Sequence, residues 1–309
     1  MFKFCVTLWQ FSRPHTVIGT SLSVAALFFL VVADQPADFM QAIAPLPALL
    51  TGLGAWLACI TGNIYIVGLN QLEDIDIDKI NKPNLPLAAG NFSTATGRKI
   101  VAVCALLSLG LGAILGKFLL AVVGVSLAIG TAYSLPPFRL KRFPVLAALC
   151  ILTVRGGVVN LGLFWHFQDQ LLVLSAPSAA VLTLTWFIVV FTVAIALGKD
   201  MPDLSGDQQY NIATFTIKWG KVVVFNLCRW FLAIAYLGIT IATFLWLPGV
   251  NQWFLLLSHG VALGLLLWQS TKVDLQSQTS ITRFYQLIWK LFFWEYIAFP
   301  LGLWLGKLS

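Results

Sequence analysis

Glu73, Asp74, Asp76 and Asp78 fall within six positions, directly after a run from Phe39 to Leu72 that holds no charged residue. They are a third of the chain's twelve acidic residues. On a helix, residues at i, i+4 and i+8 share one face, so Asn70, Asp74 and Asp78 form a polar stripe while Asp76 points elsewhere. A second cluster reads KDMPDLSGDQQYN, with Asp200, Asp203 and Asp207 at i, i+3 and i+7. These too share a face wherever the segment is helical, although Pro202 and Gly206 argue against a regular helix. Carboxylates on one stripe repel each other unless cations neutralise them. Hard divalent cations bind oxygen, and Mg²⁺ typically takes one or two carboxylates together with substrate phosphates. Two facing stripes would therefore hold a diphosphate through Mg²⁺. Solvated carboxylates paired with Lys79, Lys82 and Lys199 would account for a single such stripe. They account poorly for two, each ending an apolar helix.

The elements that would carry these stripes are membrane helices. Of the 309 residues, 59% are hydrophobic and 10% charged, against roughly 25% charged in soluble domains. Segments of about 20 apolar residues can span a bilayer. Nine such segments are present, near 15–33, 46–70, 97–116, 118–135, 144–165, 179–198, 221–246, 252–270 and 287–306. The expected fold is all-α: one integral-membrane domain over residues 1–309, with nine transmembrane helices around a central cavity. The N-terminal MFKFCVTLWQFSRPHT has no small-residue cleavage site and runs into the first span, so it does not read as a cleaved leader.

With the N-terminus in the cytoplasm, fifteen of the nineteen basic residues lie on the cytoplasmic side and only Lys117 and Lys307 on the other. This is the positive-inside bias. It accounts for the net charge of +7 without a nucleic-acid partner, and it puts both acidic clusters on the cytoplasmic face. GRKIV at 97–101 and GKVVV at 220–224 each follow an acidic cluster, a faint internal repeat. The five cysteines are scattered without a CxxC pair, which fits buried apolar side chains better than a metal site or disulfides. His15, His166 and His259 have no metal-ligand spacing. The tryptophans suit an interfacial belt.

NQLEDIDID resembles the NxxxDxxxD motif of the UbiA superfamily of intramembrane prenyltransferases. KDMPDLSGD resembles the second motif, with its DxxxD on Asp203 and Asp207, and YSLPPFRLKR at 133–142 resembles a third stretch. Within the family, FSRPHT, GLNQLEDIDIDKINKPNLPLA, GTAYSLPPFRLKRF and FYQLIWKLFF are most similar to the homogentisate prenyltransferases, above all those that use phytyl diphosphate. The resemblance implies that Asp74, Asp78, Asp203 and Asp207 ligate Mg²⁺, with Asn70 and Asp200 in support. It implies that a prenyl diphosphate ionises and that homogentisate attacks the allylic cation with loss of CO₂. The product would be a methyl-phytyl-benzoquinol for tocopherol synthesis, made in the plasma or thylakoid membrane of a photosynthetic prokaryote. Arg13, Arg139, Lys141, Lys199 and Ser134 are implied at the substrate. Tyr133 either faces the cation or is an interfacial anchor.

Arg155, in LTVRGGVVNLG, sits mid-span, where a charge costs at least ~2.5 kcal/mol. Either it binds the acceptor carboxylate or the diphosphate, or it pairs with Glu295 or with Asn160 and backbone carbonyls. Arg229 is close enough to a helix end to snorkel. Other members of the family would take 4-hydroxybenzoate, chlorophyllide or a solanesyl donor instead. A secondary transporter is the competing class, but it would place its ionisable groups near mid-membrane, whereas the acidic groups here lie at one interface.

Overall fold

The computed structural model describes residues 2–33, 45–171 and 175–308. Among them there is no strand. Thirteen α-helices follow in order: α1 Phe2–Phe11, α2 Pro14–Ala33, α3 Pro45–Glu73, α4 Ile75–Asn81, α5 Thr94–Leu115, α6 Lys117–Ser134, α7 Pro144–Leu152, α8 Val159–Gln170, α9 Ala179–Gly198, α10 Leu204–Gln209, α11 Phe215–Trp246, α12 Gln252–Ser270 and α13 Gln278–Leu308. A π-helical turn, Thr153–Val158, joins α7 and α8 into one rod.

Eight rods are long and apolar enough to cross a bilayer. The ninth expected span corresponds to α13, which is not among the eight although its 31 residues exceed the roughly 20 a crossing needs. It falls short on composition, since Arg283, Lys290 and Glu295 break its apolar run. The helix starts are chemically defined. Ser93, Ser178, Thr214 and Asn251 each accept the backbone N–H three residues on, the usual N-cap interaction. Pro144 occupies the first turn of α7, where its missing N–H costs nothing.

The two most extensive helix pairings are α3 with α5 and α9 with α11. In each, the helix before an acidic cluster packs on the helix after it. The faint repeat thus corresponds to two helix–short acidic helix–helix units, and the short helices α4 and α10 touch each other. The two Gly-basic stretches are not equivalent, however. Gly97 is inside regular α5, whereas Gly220 has φ 80° and kinks α11.

The core is aromatic where α9, α11 and α13 meet. Phe187, Phe191, Tyr236 and Phe292 pack edge-on or tilted with centroid separations between 5.3 and 6.1 Å. Beside it, His259 Nε2 lies 3.4 Å from Glu295 Oε1, both side chains wholly buried. Glu295 thus faces His259 and not Arg155, although His259 Nε2 and both Glu295 carboxylate oxygens are buried without a hydrogen bond. A smaller cluster of Phe11, Leu69, Leu87, Phe92 and Val101 pins α1 and the loop at 82–93 against the end of α3. Gln71 Nε2 reinforces it by donating to the Phe11 carbonyl at 2.7 Å.

Candidate functional site

A cavity of about 900 Å³ opens between the ends of α3, α6 and α9 and runs inward along α2, α7 and α13. Its mouth is lined by Asn70, Asp74, Asp78, Asp200, Asp203 and Asp207, so both acidic clusters converge on one space. Arg13, Lys82, Tyr133, Lys141 and Lys199 line the same region. Deeper in, the wall becomes apolar, with Ile66, Val122, Val123, Leu127, Ile129 and Val159. A polar mouth on an apolar tunnel suits a long chain carrying a charged head.

The first stripe survives a helix break. α3 stops at Glu73 and α4 begins at Ile75. Asp74 N–H still donates to the Asn70 carbonyl at 3.1 Å, and Asp78 N–H to that of Asp74 at 2.7 Å. Asn70, Asp74 and Asp78 thus keep one side, and Asn70 Nδ2 donates to Asp74 Oδ2 at 2.9 Å. Asp76 turns outward and pairs with Lys79 at 2.8 Å. The second cluster is less regular, as Pro202 and Gly206 suggested. Asp200 lies in a turn, Asp203 precedes α10, and only Asp207 is helical.

Cations surround the carboxylates. Lys141 Nζ lies 2.5 Å from both oxygens of Asp74, and Arg139 Nη2 lies 3.3 Å from one of them. Arg13 Nη2 donates to Asn70 Oδ1 at 3.2 Å and lies 4.0 Å from Asp78. Lys82 pairs with Asp203 and Lys199 with Asp200. Arg13 and Arg139 both have positive φ, 52° and 39°. Such backbone costs of order 1–3 kcal/mol and persists only where the surroundings fix it; here it aims two guanidinium groups at the first motif.

Burial pushes the Asp207 carboxyl up to about 7, and Asp200 and Asp203 add to the shift by repulsion. Asp78 and Asp200 are also raised by burial, against the pull of Arg13 and Lys199 respectively. Burial lowers the Lys141 ammonium, with Asp74 opposing it. Burial works against charge on Lys199 as well, but Asp200, Tyr133 and Asp207 outweigh it and hold it well above the usual lysine value.

Among the described residues no three His, Cys, Asp or Glu side chains converge on one point. The donor set nonetheless fits hard cations that also bind phosphate. It is all oxygen, split over two facing motifs, and Asp78 Oδ2 is buried without a hydrogen-bond partner. Burial holds Asp78, Asp200 and Asp207 above the usual carboxylate range, and a cation bound between them would offset that cost.

Two residues, Ser134 and Arg139, sit differently from expectation. Ser134, read as substrate-binding, is wholly buried outside the cavity wall, its hydroxyl without a partner. It closes the last turn of α6 instead. Arg139 reaches Asp74 from behind the wall and does not line the cavity. Arg155 does line it, unpaired with Glu295. Arg229 bonds Asn226 outside the cavity.

The sequence reading missed Asn81. Its Oδ1 accepts the Gly206 N–H at 2.8 Å and its Nδ2 lies 3.5 Å from Asp207 Oδ1, which ties α4 to α10. Its position, three residues after Asp78 and therefore near the same helix face, was the available signal.

Comparison with known proteins gives one answer. Residues 17–296 match the UbiA prenyltransferase family. The chain is 52% identical to homogentisate phytyltransferase of Synechocystis sp. over 97% of its own length and 96% of that protein's. It is 43% identical to homogentisate phytyltransferase 1, chloroplastic, of Arabidopsis thaliana, over 94% of this chain and 74% of that one. Among solved structures, a UbiA homolog from Archaeoglobus fulgidus bound to GPP and Mg²⁺ superposes with TM-score 0.64 at 16% identity, over 95% of this chain and 99% of that one. At that identity the superposition speaks for the fold alone.

Proposed function

The chain belongs to the UbiA prenyltransferase family, and on that premise we propose that it is a homogentisate phytyltransferase. It transfers the phytyl group of phytyl diphosphate to homogentisate, releases CO₂ and diphosphate, and makes a methyl-phytyl-benzoquinol for tocopherol synthesis. The observation that carries the reading is the convergence of both acidic motifs on the mouth of one apolar-lined cavity. Near-full-length similarity to a phytyltransferase supports the substrate pair.

Asp74, Asp78, Asp203 and Asp207 would hold Mg²⁺, which supplies charge neutralisation for the diphosphate as a leaving group. Lys141, Lys199, Lys82 and Arg13, all in the wall, take up the negative charge that grows on the diphosphate as its bond to the prenyl C1 breaks. Arg139, behind the wall, holds Asp74 in place. The bonding pair leaves with the diphosphate. Tyr133 presents its ring to the allylic carbons. The apolar wall of Ile66, Val122, Leu127 and Val159 seats the chain and excludes water, which would otherwise quench the cation to an alcohol. A ring carbon of homogentisate then bonds to C1 and loses its proton. The carboxyl departs as CO₂, and the carbon it leaves takes up a proton to become the methyl group.

One domain works at one membrane face in this reading. That face is cytoplasmic, in a plasma or thylakoid membrane. The test is a membrane assay with labelled homogentisate and phytyl, geranylgeranyl or solanesyl diphosphate, with Mg²⁺ or EDTA. A prenylated quinol that forms only with Mg²⁺, and fastest from phytyl diphosphate, is the expected result. No product from any donor would reject homogentisate as acceptor.

A further inference from the structure

We infer that Arg155 is the anchor for the carboxylate of the aromatic acceptor, and that loss of that carboxylate releases the product. The inference rests on the reading of the cavity as an aromatic prenyltransferase site. Arg155 stands within the membrane rod, in the π turn Thr153–Val158, and lines the cavity. Its guanidinium has no hydrogen bond or ion pair among the described residues, and its Nε is buried without a partner. Glu295, in the neighbouring α13, faces His259 at 3.4 Å and makes no ion pair with Arg155. An unpaired cation at this depth is costly enough to mark function.

The side chain is held without using its donors. Its guanidinium carbon lies 4.8 Å from the Trp289 ring and 5.2 Å from Phe292. Both are cation–π contacts, which spend no conventional hydrogen bond, so the guanidinium keeps the N–H fork that grips a carboxylate with two parallel bonds. The backbone is held as well. Asn160 Nδ2 donates to the carbonyls of Arg155 and Gly156, each at 2.8 Å, and Tyr296 donates to Asn160 Oδ1 at 3.0 Å. Asn160 and Tyr296 are positioning residues. They stabilise a π turn, a feature frequent at functional sites, and so set where Arg155 points.

The surroundings suit a small aromatic acid. His15 meets Trp289 edge-on at 4.7 Å, and Tyr285 and Phe292 complete an aromatic wall. A diphosphate already has Arg13, Lys82, Lys141 and Lys199 at the mouth. Lys199, Tyr285 and Arg155 line one and the same cavity, so an acceptor held by Arg155 shares that space with the donor. Once the carboxyl has left as CO₂, the quinol has nothing for Arg155 to bind.

The test uses purified full-length protein in EDTA, titrated with homogentisate or with methylhydroquinone, its carboxylate-free counterpart, and read by tryptophan fluorescence. Arg155→Met should weaken homogentisate about 10- to 100-fold, the range for a lost charged hydrogen bond, and leave methylhydroquinone unchanged. Arg155→Lys, which keeps the charge but not the fork, should fall between. Inorganic diphosphate with Mg²⁺ should raise the melting temperature of all three proteins equally, which also shows that the variants fold. In turnover, KM for homogentisate should rise and KM for phytyl diphosphate stay constant. Unchanged homogentisate binding in Arg155→Met, or a parallel loss of diphosphate binding, overturns the anchor. If the unsubstituted protein ignores homogentisate but prefers 4-hydroxybenzoate to phenol through Arg155, the anchor stands and the proposed acceptor falls. If it binds no aromatic acid better than the carboxylate-free partner, the anchor falls.

Discussion

Asp74 and Asp203 hold matching places in the two motifs but differ in what their lysines can do without them. The Lys141 side chain is 6% exposed, whereas that of Lys82 is 37% exposed. Removing one partner of a buried pair strands a charge and costs several kcal/mol; an exposed partner simply hydrates. Asp74→Ala should therefore cost about 3 kcal/mol of stability and Asp203→Ala within about 1 kcal/mol, while both lower turnover at least about 100-fold. Thermal melts beside the quinol assay separate the two effects, and a full-rate Asp203→Ala would remove it from the site. Asp207 predicts a pH dependence. Its folded pKa, about 7, lies above the unfolded value, so the folded protein binds the extra proton. Metal-free stability should then fall as pH rises toward about 7 and level off above it. Cation binding must displace that proton, so Mg²⁺ affinity should weaken about tenfold per pH unit below 7, as isothermal titration at several pH values would show. The aspartates were legible because spacing fixes which side chains share a face. Arg155 and Asn81 were only half legible. What each touches depends on helices more than a hundred residues away, and nothing local to Glu295 says that His259 faces it.

At the level of elements, the site depends on how two short acidic helices meet. A Cβ at Gly206 would lie 2.6 Å from the Asn81 side-chain amide. Gly206→Ala should push Asn81 off the Gly206 N–H and part α4 from α10, lowering turnover about tenfold or more with membrane insertion intact. Recovery of rate in Gly206→Ala with Asn81→Ala would show that the clash, and not the glycine backbone, is responsible. Unchanged rate in the single variant would mean that the α4–α10 contact does not position the motifs. Helix existence was readable from apolar runs, and 179–198 and 252–270 match their helices at both ends. The last helix was read nine residues short at its start, because its first turns are polar. Those turns close the cavity mouth: Gln278 donates to the Pro202 carbonyl at 2.8 Å, and Thr282, Tyr285 and Gln286 line the wall. An apolar count registers only what lipid touches. The π turn was hidden for a related reason, since it conserves the apolar run and alters only the hydrogen-bond ladder.

For the molecule as a whole, orientation follows from where charge and apolar surface lie. Leu106, Ile114, Trp230, Leu245, Trp253 and Leu257 are each more than 60% exposed, far more apolar surface than a water-soluble chain leaves open. A bilayer must cover it. Apart from Arg155 and Arg229, the cations lie toward the ends of the rods, and in the proposed orientation the basic bias of fifteen residues against two falls on the cytoplasmic face. With the N-terminus in the cytoplasm, as proposed, the acidic mouth falls on that same face, because α4 follows the second rod and α10 the sixth, both even crossings. Arg155 is then reached only through the cavity. In a cysteine-free background, single cysteines at Lys79 and Lys272 should react with a membrane-impermeant maleimide only after inverted vesicles are made. A cysteine at Lys117 should react from the opposite side in intact cells. Soluble diphosphate with Mg²⁺ should slow labelling at Lys82 but not at Lys272. Labelling of Lys79 and Lys117 from one side would overturn the topology, since a single odd crossing separates them; protection at neither lysine would mean that the diphosphate does not bind at the acidic mouth.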